Sequence, residues 1–144
     1  PNSSIQSAIL ELKRTQLKSG ELLLSMAGTI GLTVIVPDFI NEANINQALA
    51  RIVLENGYSN YFVKEILNSK VGKTQTDRLS RPAFQSNINF DEIGSLLIPI
   101  PPLEKQKEIA GHITDIRKQA QQLRDKTKET LKKASNEIEK ILLH

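Results

Sequence analysis

From Leu103 to Ile141 the chain contains no proline, and its one glycine is Gly111. Immediately before it stand Pro99, Pro101 and Pro102, at the end of the apolar run LLIPI. Prolines lack the amide hydrogen that a strand ladder needs, and their preset φ suits the first turn of a helix. Glu104 and Glu108 then fall near the positive end of that helix, which favours carboxylates. As one helix these residues run roughly 58 Å at ~1.5 Å per residue. About 100 of the 144 residues precede the helix. A domain of that size has a gyration radius of only ~13 Å, too small to cover the helix along its length.

The helix carries one stripe. Ile109, Ile113, Ile116, Ala120, Leu123, Thr127, Leu131, Ala134, Ile138 and Ile141 follow steps of four and three residues. Two successive steps of four meet at Thr127. This is the pattern of a coiled-coil seam with a stutter, where the supercoil locally unwinds. Length weighs against a solvated helix whose stripe packs on its own domain. The expected partner is another helix, from a second copy or from elsewhere in the same protein. The division expected is residues 1–100 as an α/β domain and 101–144 as the pairing helix.

Composition narrows the function classes. Hydrophobic residues make up 39% and charged residues 24%, a globular composition. No apolar run approaches the ~18 residues of a membrane span, so no membrane partner is expected. There is no cysteine, and His112 and His144 have no ligand-like spacing. Disulfides and a zinc site are not expected, and the cytoplasm is the expected compartment. The net charge of +3 lies in the tail, because residues 1–103 carry nine basic and nine acidic side chains. Within that neutral part, Lys70, Lys73, Arg78 and Arg81 face only Asp77. Such a cluster permits polyanion binding.

Along the domain, Ile5, Ala8, Ile9 and Leu12 recur at helical spacing behind Ser4, which predicts a helix over 4–15. Strands are expected at 21–26, 32–36 and 48–54, the first two joined by AGTIG. A helix is expected at 58–68 with Gly72 just past its end. Residues 71–89, VGKTQTDRLSRPAFQSNIN, show little periodicity and read as a loop. A short helix at 90–95 capped by Asn89 and an edge strand at 96–100 complete the domain.

No catalytic constellation is visible: there is no G-x-S-x-G, P-loop or H-E-x-x-H. AGTIG reads as a hairpin loop rather than a phosphate cradle. Asp91 and Glu92 read as helix-capping carboxylates. Asn44, Asn46 and Gln47 read as turn-forming amides. The 70–89 segment is the binding candidate. Lys70, Lys73, Arg78 and Arg81 suit phosphates, while Gln75, Thr76, Gln85 and Asn87 suit base edges. An exposed polar loop without a partner is the simpler alternative.

Several stretches together resemble one family. LLLSMAGTIGLTVIV resembles the LLS-x-x-GTIG strand–loop–strand of target recognition domains in specificity subunits of type I restriction–modification enzymes. EANINQALARI resembles the strand that follows it there, and YFVKEILNSKVG the next helix. SNINFDEIGSLLIPIPPLEKQKEI resembles the junction into the spacer helix, with Pro101, Pro102, Leu103 and Gln106 on its motif. The resemblance covers nearly all of residues 17–144, in family order.

The resemblance implies a mixed α/β target recognition domain followed by one long helix in an antiparallel coiled coil. It implies a non-catalytic subunit that binds half of a bipartite site in double-stranded DNA. Modification subunits would hold S-adenosylmethionine, and a restriction/motor subunit would use ATP; this chain itself would bind no cofactor. The partner helix would be a second spacer in cis or that of a homodimer. The family's opening segment does not precede LLLSMAGTIG, so the sequence is expected to be a fragment. Ala27 stands where the family often has a basic residue. Two other expectations stay open: an assembly module without DNA binding of its own, and the specificity region of a fused restriction–methylation enzyme.

Overall fold

A computed structural model gives the fold and describes residues 2–13, 17–40, 48–80 and 87–143. Two compact units divide between Glu108 and Ile109. The first holds strands β1 (Asn2–Ser4), β2 (Ile9–Lys13), β3 (Leu22–Ser25), β4 (Thr33–Ile35), β5 (Leu49–Leu54) and β6 (Leu97–Pro99). It also holds helices α1 (Asn60–Asn68), α2 (Lys70–Leu79) and α3 (Phe90–Gly94). The second lies within α4 (Leu103–Leu142), whose first residues belong to the globular unit.

The main sheet is antiparallel in the order β2-β5-β3-β4, and β1 pairs with β6 in a second, two-stranded sheet. Alternation in β3 explains which way it faces: Leu22 and Leu24 are buried while Leu23 and Ser25 are half-buried. Leu22 pairs with Ile52 and Leu24 with Ala50, so four fully buried side chains share one side of the sheet. Phe62, Val63 and Leu67 from α1 and Ile5, Ile93, Leu96 and Ile98 are buried as well. Glu21 and Arg51 form a two-bonded ion pair at 2.5 and 2.6 Å. Burial works to raise the Glu21 carboxyl. The hydrogen bonds from Arg51 and from the Lys18 N–H outweigh it and hold the group below the usual carboxylate range.

The first residues depart from expectation. Instead of a helix over 4–15, β1 leads into a 3-10 turn at Ile5–Ala8 and then into β2. Ser4 does cap that turn, accepting from the Gln6 N–H. Residues 9–13, ILELK, pair with β5, whose edge β2 completes. Helical spacing and a strand broken by a tight turn bury the same residues, Ile5, Ala8 and Ile9, so pairing decides.

The second departure is larger. Lys70–Leu79 is helix, not loop. Ser69 serves both neighbours: its hydroxyl donates to the Ile66 carbonyl and accepts from the Gly72 N–H. Gly72 is therefore not a helix-ending residue but lies in the first turn of α2. A Cβ there would stand 2.2 Å from the Leu67 carbonyl oxygen, so only glycine lets the two helices cross this closely. The inward ridge of α2 is Gly72 and Thr76, small and polar, and carries no apolar period to read.

The other elements match their sequence signals. Asn89 and Glu92 form a reciprocal capping box on α3. β6 ends at Pro99 in the two-stranded sheet. At the start of α4 Gln106 is buried, accepting from the Ser59 N–H and donating to the Pro101 carbonyl. That amide ties the helix start to the turn before α1.

Candidate nucleic-acid interface

Helix α2 presents four ridges at the four-residue spacing of an α-helix. Gly72 and Thr76 face inward, and Thr76 packs against Gly31 of the AGTIG loop. Gly31 has φ +80, and a Cβ on it would meet the Thr76 side chain at 2.7 Å, so this position is glycine for two reasons. Lys70, Thr74 and Arg78 form the outermost ridge, all exposed. Lys73 and Asp77 form the ridge on one side of it, and Val71 and Gln75 the ridge on the other. Lys73 and Arg78 thus stand roughly 140° apart around the helix axis, with Lys70 between them.

The structure sorts the site residues proposed from sequence. Lys70, Lys73 and Arg78 come together on the exposed side of α2. Asn87 is exposed, and its backbone bridges Ala27 at the base of the AGTIG loop. Met26 on one side of that bridge accepts from the Ile88 N–H and donates to the Ala48 carbonyl. Arg81 and Gln85 lie outside the described residues, as do Asn44, Asn46 and Gln47.

Two residues expected to face bases are used within the protein instead. The Gln75 amide donates to the Leu97 carbonyl at 2.9 Å and accepts from the Leu97 N–H at 2.7 Å. It takes the place of a neighbouring strand on β6, which satisfies edge groups that would otherwise need water. Thr76 is 1% exposed and donates to the Lys73 carbonyl. Asn68 repeats the Gln75 arrangement on β4, bonding both the N–H and the carbonyl of Thr33. Sequence patterning missed Val71 and Thr74 because it had no helix on which to place them; Asn68 and Leu97 fell in the expected 58–68 helix and 96–100 strand, where nothing in the pattern marks a side-chain clasp or a shared hollow.

Between α2 and β6 lies a hollow of about 520 Å³, lined by Lys70, Val71, Thr74, Gln75, Arg78 and Leu97. Its floor is aliphatic and its rim cationic. Among the described residues no group of His, Asp and Glu side chains could hold a metal ion. No helix among them is long and apolar enough to cross a membrane.

The expected pairing residues are also placed. Ile109 and Ile113 are half-buried, whereas Ile116, Ala120, Leu123, Thr127, Leu131, Ala134, Ile138 and Ile141 are exposed along α4. The Thr127 hydroxyl turns back to the Leu123 carbonyl of its own helix.

A small α/β domain with three cations on the exposed side of one helix is followed in sequence by a long helix whose apolar stripe is exposed from Ile116 to Ile141. The family model described as type I restriction modification DNA specificity domain matches residues 2–133, and the chain belongs to that family. Over 134 residues it is 27% identical to the type I restriction enzyme EcoBI specificity subunit of Escherichia coli. That match covers 92% of this chain and 28% of the relative. In fold it is similar to the type I restriction–modification S subunit from M. genitalium, with TM-score 0.66 at 13% identity. There 82% of this chain covers 39% of the other. It is also similar to the HsdS subunit from Thermoanaerobacter tengcongensis, with TM-score 0.56 at 21% identity over 72% of this chain and 23% of that one. The chain therefore spans well under half the length of these relatives.

Proposed function

We propose that this chain is the DNA-reading and spacing part of a specificity subunit, binding one half of a bipartite duplex site. The observation that carries this reading is the exposed side of α2, where Lys70, Lys73 and Arg78 are accompanied by the single acid Asp77, in a domain of the DNA specificity family. These three cations would contact phosphates, with Arg81 beyond the helix adding to them. Asn87 and Gln85 would reach base edges. Gln75 and Thr76 act indirectly, by fixing α2 on β6 and on the AGTIG loop.

The chain performs no chemistry in this proposal. Modification subunits would bind S-adenosylmethionine and flip the target adenine, whose reactive atom is out of reach inside the stack. A restriction/motor subunit would use ATP. The stripe from Ile109 to Ile141 would pair antiparallel with a second spacer helix, in cis or from a second copy, and so set the distance between half-sites. The complex would work in the cytoplasm.

The test is titration of a cognate duplex and of a scrambled duplex with the full-length protein and with Lys70, Lys73 and Arg78 replaced by alanine. The proposal expects weaker binding to both duplexes at an unchanged oligomeric state. Unchanged affinity would leave the chain an assembly module and overturn the reading.

A further inference from the structure

We infer that the hollow between α2 and β6 is a thymine-reading subsite, in which the 5-methyl group of a thymine in the major groove rests against Val71 and Leu97. This rests on the DNA-reading proposal above and deepens it. Val71 is 60% exposed and Leu97 50% exposed, yet the two side chains share one hollow. Two aliphatic side chains gathered in one exposed place gain by being covered. The rim decides what covers them. Lys70 and Arg78 flank the floor on the outermost ridge of α2, and among the described residues no acidic side chain lines the hollow. The fitting occupant is a polyanion that also offers a small apolar group.

Duplex DNA has both. Phosphates line its grooves, and thymine is the one base with a methyl group on its major-groove edge. An acidic, apolar segment of a protein has the same two properties. The spread of cations favours DNA: Lys73 stands outside the hollow, on the far side of the exposed arc from Arg78, and a run of phosphates can engage both. The subsite is also preset. The two Gln75 hydrogen bonds to Leu97 fix the floor residue of β6 to the helix carrying Val71, so the two do not need to be brought together on binding. Thr74 adds a methyl and a hydroxyl at the lip of the same hollow.

The test begins with a duplex selected from a randomised library by the full-length protein. Each thymine in the selected half-site is then replaced by uracil, which removes the methyl group and keeps the hydrogen-bonding edge. One replacement should weaken binding by the wild type about fourfold, the worth of one buried methyl group. Val71→Ala and Leu97→Ala should each bind the thymine and uracil duplexes more nearly alike. Val71 is exposed, so its variant should keep the wild-type Tm. If no uracil replacement matters, or if Val71→Ala keeps the full preference, the subsite is refuted. If the alanine variants of Lys70, Lys73 and Arg78 still weaken binding in that case, DNA reading stands and the hollow passes to a protein segment. If those charge variants bind like wild type, the DNA reading itself falls.

Discussion

In the unit up to Glu108, Leu22, Leu24, Ile52 and Phe62 are at most 2% exposed. In the unit from Ile109 the corresponding aliphatic side chains, Leu123, Leu131 and Ile138, are 66%, 65% and 57% exposed. Both regions are patterned with apolar residues at the period of their secondary structure. The first closes its pattern on itself. The second keeps it along the rest of α4, where the stripe from Ile116 to Ile141 is exposed. An apolar period thus marks a face to be covered, and says nothing of whether the cover lies in the same unit.

This contrast can be broken from either side. The largest expected effect is in the globular unit: Phe62→Ala should cost about 3–5 kcal/mol in denaturant unfolding. Leu131→Ala on the exposed stripe should leave that transition within about 0.5 kcal/mol of wild type. Equal losses would mean that the stripe is buried as deeply as the core.

Removal of one partner from the Glu21–Arg51 pair comes next. Arg51→Met should cost about 3 kcal/mol, because it leaves a carboxylate that is only 13% exposed without its guanidinium. Since the folded Glu21 carboxyl is held below its usual range, its stabilisation is present above that range and is lost as pH falls through the folded value. The Tm gap between wild type and Glu21→Gln should therefore narrow on acidification from neutral pH. A gap that stays constant would remove the pair from the stability account.

Gly72→Ala should cost about 1–3 kcal/mol, because the added methyl strikes backbone rather than a side chain able to turn away. Gly111 lies in α4 with nothing within 4 Å of its Cβ position. There the same change should stabilise by up to about 1 kcal/mol, through helix propensity. Thermal melts of the two variants should move in opposite directions.

The smallest effects belong to the exposed cations. Lys73→Ala and Arg78→Ala should leave stability unchanged, and each should lower the salt slope of DNA binding by about 1. Titration at three or more salt concentrations checks this.

How far the sequence was legible follows from the same contrast. β3, β4, β5, α3 and the start of α4 could be read because their signals were apolar alternation, a capping box and a proline pair. β2 could not, because a turn at Ile5–Ala8 gives a broken strand the spacing of a helix. Helix α2 was invisible because its inward positions are Gly72 and Thr76, which fit by size rather than by apolar character. That Lys70, Lys73 and Arg78 form a local cationic cluster could be read from charge alone; that one exposed helix side carries them could not. Nor could the roles of Gln75 and Thr76, since an amide that clasps an edge strand looks in sequence like one free to read a base.

The most direct measurement is a crossed pair of variants followed by light scattering and duplex titration. One carries alanine at Lys70, Lys73 and Arg78; the other carries glutamine at Ile116, Leu123 and Leu131. The account predicts that the first loses DNA affinity at unchanged mass. The second should lose helix pairing, seen as a lower mass or as separated half-sites, with each half-site still bound. If the cation variant binds DNA as the wild type does, the separation of reading from spacing is contradicted.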